Sequence, residues 1–169
     1  EAVLRVVSGR IMSVFGPGPL RIDMPLATIG IRGTGIYLEV YPERNYVCLC
    51  YGRAVLKSKL EPRVREALNT THHEGPRNFH ADPKARGTKF IEKAKMVNHK
   101  DTELIMLEAL VGRIPKFGDK PIKMPEGSYG KNSSSIRNNT LFCFGCACMK
   151  RNTFKHILKP TNLSAFFIF

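Results

Sequence analysis

Hydrophobic and polar residues alternate along the first third of the chain with the two-residue period of β-strands. Glycine and proline interrupt this pattern repeatedly, and both residue types favour turns. Strands this short and this regularly spaced predict a mainly β fold, either a short-strand β-solenoid or a sandwich-like module. The predicted strands are residues 3–8, 10–15, 20–24, 36–41, 46–51 and 53–58, with a hairpin turn at 42–45.

One strand-like segment contains three glycines within six residues. Glycine inside a strand usually marks a bulge, a bend or a close approach of two backbones. The spacing differs from a dinucleotide-binding fingerprint, and no helix is predicted to follow it. We therefore predict a structural turn or bend, formed by Gly30, Arg32, Gly33, Thr34 and Gly35.

The pattern changes after Leu60. Residues 61–68 suggest one or two helical turns, and residues 71–86 are typical of a loop. Leucines at helical spacing then predict one helix over residues 101–113, with Asp101 as its N-cap and an apolar stripe that includes Leu110. The predicted organisation is a β-module over residues 1–117, which includes this helix, and a basic, flexible tail over residues 118–169.

Positive charge is concentrated in that tail. Residues 1–112 contain 17 Lys and Arg against 12 Asp and Glu, a net +5, whereas residues 113–169 contain 10 against 2, a net +8. No run of basic residues exceeds two, and no predicted helix combines a basic face with aromatic residues, so we expect no nucleic-acid partner. No apolar run reaches the length of a membrane span, which predicts no transmembrane segment in this chain.

Two cysteines stand out as candidates for chemistry. Cys48 and Cys50 are two residues apart on a predicted strand, so their side chains point to the same face. Their Cα atoms are then about 6.6 Å apart, near the upper limit for a disulfide, which makes a mutual disulfide strained. Two thiolates on one face would supply half of a tetrahedral metal site. The alternative is that both thiols are small buried hydrophobic groups.

Three histidines are candidates to complete such a site. His72 and His73 lie in the predicted loop, and His99 lies just before the helix. Imidazole is a common ligand of zinc, iron and copper, so the candidate cofactors are a transition metal or haem. Equally, the histidine pair fits a polar turn, and His99 fits a role at the helix start. A second thiol group, at residues 143, 146 and 148, has a C-x-x-C gap but only three sulfurs.

No catalytic motif is present. The chain lacks a G-x-S-x-G elbow, a P-loop and an H-E-x-x-H helix, and its helical Glu103 and Glu108 do not share a face. A cysteine nucleophile with a histidine base remains as a third hypothesis, without a residue that orients the base. We therefore predict that the protein is not an enzyme.

The segment 24–37, with Arg32-Gly33-Thr34 followed by an aromatic residue, resembles the FecR-type domain. The Cys48–Cys50 pair, the His72-His73 loop and the segment 98–104 resemble one proteobacterial branch of such proteins. The resemblance covers about residues 3–117. It implies an exported, periplasmic, non-catalytic sensing or interaction module in envelope signalling, with another envelope protein as partner. The alternative function is a metal- or haem-binding redox protein that uses the two cysteines and the His72–His73 pair.

Overall fold

The structure, a computed structural model, describes residues 2–117 and 120–123 and the backbone of 165–168. These residues form nine strands in one open, mixed sheet and one helix, which confirms the predicted mainly β fold with a single helix. Of the predicted flexible tail, residues 118–169, the structure describes 120–123 and the backbone of 165–168, and the cysteines at 143, 146 and 148 lie outside the described residues. The elements are β1 (Ala2–Arg5), β2 (Gly9–Phe15), β3 (Pro19–Asp23), β4 (Ala27–Tyr41), β5 (Arg44–Ser58), β6 (Arg65–Thr70), β7 (Arg77–His80), β8 (Ile91–Lys93), α1 (Asp101–Leu110) and β9 (Ala165–Ile168).

Two long antiparallel strands, β4 and β5, form the centre of the sheet. Each has 15 residues, and together they make the hairpin predicted around residues 42–45. The sequence predicts a break at Gly52, but β5 continues through it. Gly52 has a φ of +98°, and a Cβ there would lie 2.8 Å from the carbonyl oxygen of Gly33. Only glycine fits this position, so the strand bends locally and does not end.

The predicted bend at residues 30–35 coincides with shifts of register in the β4–β5 pairing between Arg32 and Ile36. Gly35 is the tightest position of this bend. A Cβ on Gly35 would lie 2.6 Å from the ring of Tyr51 and 3.0 Å from Leu104 of α1. The missing side chain therefore lets the helix pack closely against the sheet.

One side of β5 carries β4 along its whole length, and the other side carries two strands end to end. Residues 52–57 pair with β6, and residues 44–47 pair with β7. The sequence suggested helical turns at 61–68, but the open side of β5 offers unpaired backbone groups that a strand satisfies. Residues 48–51 of β5 lie between the parts that pair with β6 and β7. The loop that joins β6 to β7 passes beside these residues, and the backbone N–H of His73 donates a 2.9 Å hydrogen bond to the carbonyl oxygen of Cys50.

The two faces of the central strands have different surroundings. Side chains from one face, such as those of Leu38 and Leu49, belong to a large aliphatic core. The opposite face carries Tyr37, Cys48 and Cys50, and packs against Leu104 and Leu107 of α1. Both cysteines are fully buried. The site described below therefore lies between the sheet and the helix.

Helix α1 is shorter than predicted. Lys100 is the N-cap and Asp101 is the first helical residue, because the Asp101 carboxylate is bound elsewhere. The helix ends at Leu110, since Gly112 at φ +69° and Arg113 donate hydrogen bonds to the last turn in a Schellman arrangement. The predicted stripe was wrong at Leu110, which is 61% exposed, whereas Glu108 is buried. No helix of the described residues is long and apolar enough to span a membrane.

Candidate metal centre

Four buried donor groups converge between β5 and α1. Cys48 and Cys50 come from the helix-facing side of β5, His73 from the loop after β6, and His99 from the segment before α1. One donor atom from each residue lies within 4.8 Å of the other three. None of the four residues is more than 6% exposed. The sheet and its connections thus bring distant parts of the chain to one point.

The spacing of these donors matches a tetrahedral ion. With zinc bonds of about 2.3 Å to sulfur and about 2.05 Å to nitrogen, a tetrahedron separates two nitrogens by about 3.3 Å and a nitrogen from a sulfur by about 3.6 Å. In the structure, His99 Nε2 lies 3.2 Å from His73 Nδ1, and Cys48 Sγ lies 3.3 Å from the same Nδ1. These two distances fit a Cys₂His₂ site, and the other donor pairs lie within 4.8 Å.

Each of the two histidines in the cluster is held by an acceptor on its other nitrogen. His73 Nε2 lies 2.7 Å from Asp101 Oδ1, and His99 Nδ1 lies 2.6 Å from the carbonyl oxygen of Val97. Both acceptors require an N–H, so a neutral ring in each case turns its lone pair towards the cluster. Two lone pairs that face each other repel unless a cation or a proton lies between them. Histidine ligands of metals are commonly held in this way.

The protonation of the cluster follows from the same contacts. Burial alone lowers the pKa of His73, but Asp101 and Cys48 outweigh it and raise that pKa to about 9. Burial alone raises the pKa of Cys48, yet hydrogen bonds from Cys50, His73 and His99 hold it well below its usual value. Burial and the neighbouring Cys48 sulfur raise the pKa of Cys50. The cluster therefore favours a thiolate at Cys48 beside a positive charge.

Left-handed backbone occurs at His73 in the cluster and at Asn98, the residue before His99. His73 has a φ of +54° and Asn98, next to His99, has a φ of +56°. Left-handed conformations are unusual for residues other than glycine, and asparagine adopts them more readily than histidine. Such strain costs on the order of 1–3 kcal/mol and is concentrated at functional sites. The Asn98 side chain also donates a 2.7 Å hydrogen bond to Glu39, which fixes the turn before His99.

His72, His73 and Asp101 form a second close group. The Asp101 carboxylate accepts hydrogen bonds from both histidines, each at 2.7 Å, and from the backbone N–H of Lys123. Burial raises the pKa of Asp101, but these three donors outweigh it and lower that pKa. A carboxylate that already accepts three hydrogen bonds has little capacity left to bind an ion. We therefore assign Asp101 and His72 to the outer shell of the Cys₂His₂ cluster.

Aromatic rings enclose the cluster. The ring of Tyr37 stacks on His99 at 4.3 Å between centroids, and its hydroxyl donates a 2.8 Å hydrogen bond to Glu39. On the other side, Phe117 stacks on His72 at 4.3 Å. These contacts restrict the rotation of the imidazoles and exclude water, which strengthens electrostatic interactions inside the site.

The structure brings together four of the five predicted site residues, Cys48, Cys50, His73 and His99, and places the fifth, His72, behind Asp101. Sequence reasoning missed the part of Asp101, because a carboxylate at a helix start is most simply explained as a cap. The spacing of His99 and Asp101 by two residues was the available signal.

No protein-family model, curated protein or solved structure matches this chain. The resemblance to the FecR-type domain therefore stays a prediction, as do the exported location and the envelope partner.

Proposed function

We propose that this protein is a metal-binding module whose centre is a closed Cys₂His₂ site. The observation that carries the proposal is the convergence of two buried thiols and two imidazole nitrogens within 4.8 Å of one another, with two of the distances close to those of a tetrahedral ion. Cys48, Cys50, His73 and His99 would hold the ion. Four protein donors favour a bare ion over haem, because the porphyrin already supplies four ligands to a haem iron.

Charge balance favours a divalent ion. Two thiolates and two neutral imidazoles around a divalent cation have a net charge of zero, which suits a buried position. A monovalent ion would leave a net negative charge next to the buried Asp101 carboxylate. Tetrahedral sulfur and nitrogen ligation without an open position is typical of structural zinc. Zinc is therefore the ion we expect.

A closed zinc site of this kind contributes to folding. It would join β5, the loop after β6 and the segment before α1, which are far apart in sequence. The free energy of metal binding then becomes free energy of folding. Such a module fits the non-catalytic sensing or interaction role that the FecR-type resemblance implies, in which the ion sets whether the module is folded.

A second candidate function rests on one specific contact set. Cys48, His73 and Asp101 have the order and hydrogen bonds of a nucleophile, a base and an orienting carboxylate. Cys48 is 0% exposed, however, and a substrate has to reach its sulfur. The burial of the sulfur and the presence of two further donors beside it favour the metal site.

The test is the metal content of the full chain purified without chelators. We expect one equivalent of zinc per chain, and loss of that zinc in the variants Cys48→Ser and Cys50→Ser. The matched control replaces the cysteines at 143, 146 and 148 with serine and should keep the full equivalent. Zinc that survives in both single variants, or that disappears in the control, would contradict the proposal. Labelling of Cys48 by substrate-like electrophiles in the native protein would favour the nucleophile instead.

A further inference from the structure

All four donors of the cluster are buried, so an ion cannot reach them unless part of the surrounding structure opens. Two of the surrounding elements are firmly anchored. Strand β5 pairs with β4 along its whole length, and α1 buries Leu104 and Leu107 completely. A third part of the surroundings consists of residues 114–117 and 120–123, which we call the cover segment.

The cover segment contacts the cluster through its outer shell. Phe117 is 3% exposed, stacks on His72 and lies 6.1 Å from His73 between ring centroids. Lys123 donates its backbone N–H to Asp101 and its Nζ to the carbonyl oxygen of His72. The cover segment therefore touches Asp101, which holds His73, and the ring of His72 beside it.

The anchoring of this segment is weak by comparison. Its side-chain hydrogen bonds to the rest of the protein come from exposed lysines, such as the 2.6 Å bond from Lys120 Nζ to Thr71, and its backbone bonds to Asp101 through Lys123. Two of its described residues, Pro115 and Phe117, are buried, and the ring of Phe117 lies beside the cluster. Segments with few buried apolar contacts and exposed hydrogen bonds open locally at a small free-energy cost. The cover segment, which touches His72 and Asp101, is therefore the part of the surroundings that opens most easily.

We propose that the cover segment controls access to the Cys–His cluster, and with it the rate at which the metal enters and leaves. This rests on the proposed metal site. None of the four donor atoms belongs to the cover segment, whose contacts near the cluster are with His72, His73 and Asp101. Loosening it should therefore speed entry and release together and leave the dissociation constant nearly unchanged.

The experiment follows zinc transfer from the full chain to an excess of a chromophoric chelator. The variant Phe117→Ala removes the buried ring, and we expect release to accelerate about tenfold or more, since burial of one aromatic side chain shifts an opening equilibrium by at least that factor. The matched control is Ile114→Ala in the same segment, where the side chain is 84% exposed and release should be unchanged. The zinc dissociation constant of both variants should stay within about threefold of the parent.

Release at the parental rate in Phe117→Ala, or equal acceleration in Ile114→Ala, would overturn the proposal. Alkylation of Cys48 and Cys50 in the metal-free chain, read by peptide mass spectrometry, provides a second measurement. Faster alkylation in Phe117→Ala supports control of access even if the chain binds no zinc, so that failure of the metal site is distinguishable from failure of the cover. If Phe117→Ala does not fold, the variants Phe117→Leu and Lys123→Ala replace it. Zinc release should again be faster than in the parent, and an unchanged release rate would again contradict the proposal.

Discussion

The substitution Asp101→Asn tests how Asp101 would support the proposed metal ion. Asp101 accepts an imidazole N–H from His72 on one oxygen and from His73 on the other, each at 2.7 Å. The asparagine side chain has the same shape but offers one oxygen and one N–H₂ group. It accepts from one histidine only, and its N–H₂ opposes the N–H of the other. If His73 shifts its proton to Nδ1 to relieve this, it loses the lone pair that the metal needs.

The expected magnitude follows from the effect of outer-shell partners in metal sites. Their removal costs about 10–100-fold in metal affinity. At about 1.4 kcal/mol per tenfold change, this corresponds to about 1.4–2.8 kcal/mol. The assay is competition for zinc between the protein and a chelator of known affinity.

The chain offers a matched control for this substitution. His80 and Glu92 form another histidine–carboxylate pair, with 2.9 Å between His80 Nε2 and Glu92 Oε2, on strands β7 and β8 and outside the cluster. Glu92→Gln should leave zinc affinity unchanged. The reasoning fails if Asp101→Asn binds zinc as tightly as the parent, or if Glu92→Gln weakens binding to the same extent.

Three further predictions concern the fold and are measured by urea denaturation. Leu104→Ala should lower the free energy of unfolding by about 2–5 kcal/mol, because the side chain is fully buried between α1 and the sheet; a loss below about 1 kcal/mol would mean that the helix is not packed there. Gly52→Ala should destabilise the protein by more than about 1 kcal/mol, because of its φ of +98° and the 2.8 Å contact of a Cβ with Gly33 O, and unchanged stability would argue against the bulge. A hydrogen bond from Arg77 lowers the pKa of Glu66. The stability that this pair contributes is therefore fully present at a pH above the ordinary pKa of glutamate, and it is lost as the pH falls through the lowered pKa. Glu66→Gln should therefore lose less stability than the parent on acidification, and parallel pH profiles would contradict this.

The strand pattern could be predicted because alternation and turn residues are local properties. The lengths of β4 and β5 were harder to predict, since a glycine in a bulge and a glycine at a strand end look the same in the sequence. Gly52 predicts a strand end because no local pattern shows that residues 53–58 pair with the same strand, β4, as residues 44–51. The same limitation affected residues 65–70, where propensity was ambiguous and pairing with β5 decides the conformation.

The candidate site was partly predictable for a related reason. Alternation alone places Cys48 and Cys50 on one face, and histidine is the usual companion of thiolate ligands. Which histidines reach the cysteines depends on the order of β6 and β7 along β5, which no local pattern contains. Phe117 and Lys123 approach through tertiary packing after the helix, so their contacts with His72 were outside the reach of sequence reasoning.

The central claim is that a single divalent ion is bound by two sulfurs and two nitrogens. X-ray absorption at the zinc edge of the zinc-loaded full chain measures this directly. The structure predicts two sulfur ligands at about 2.3 Å and two nitrogen ligands at about 2.0–2.1 Å, from Cys48, Cys50, His73 and His99. A first shell of oxygen and nitrogen without sulfur, or failure of the chain to retain stoichiometric zinc, would contradict the account.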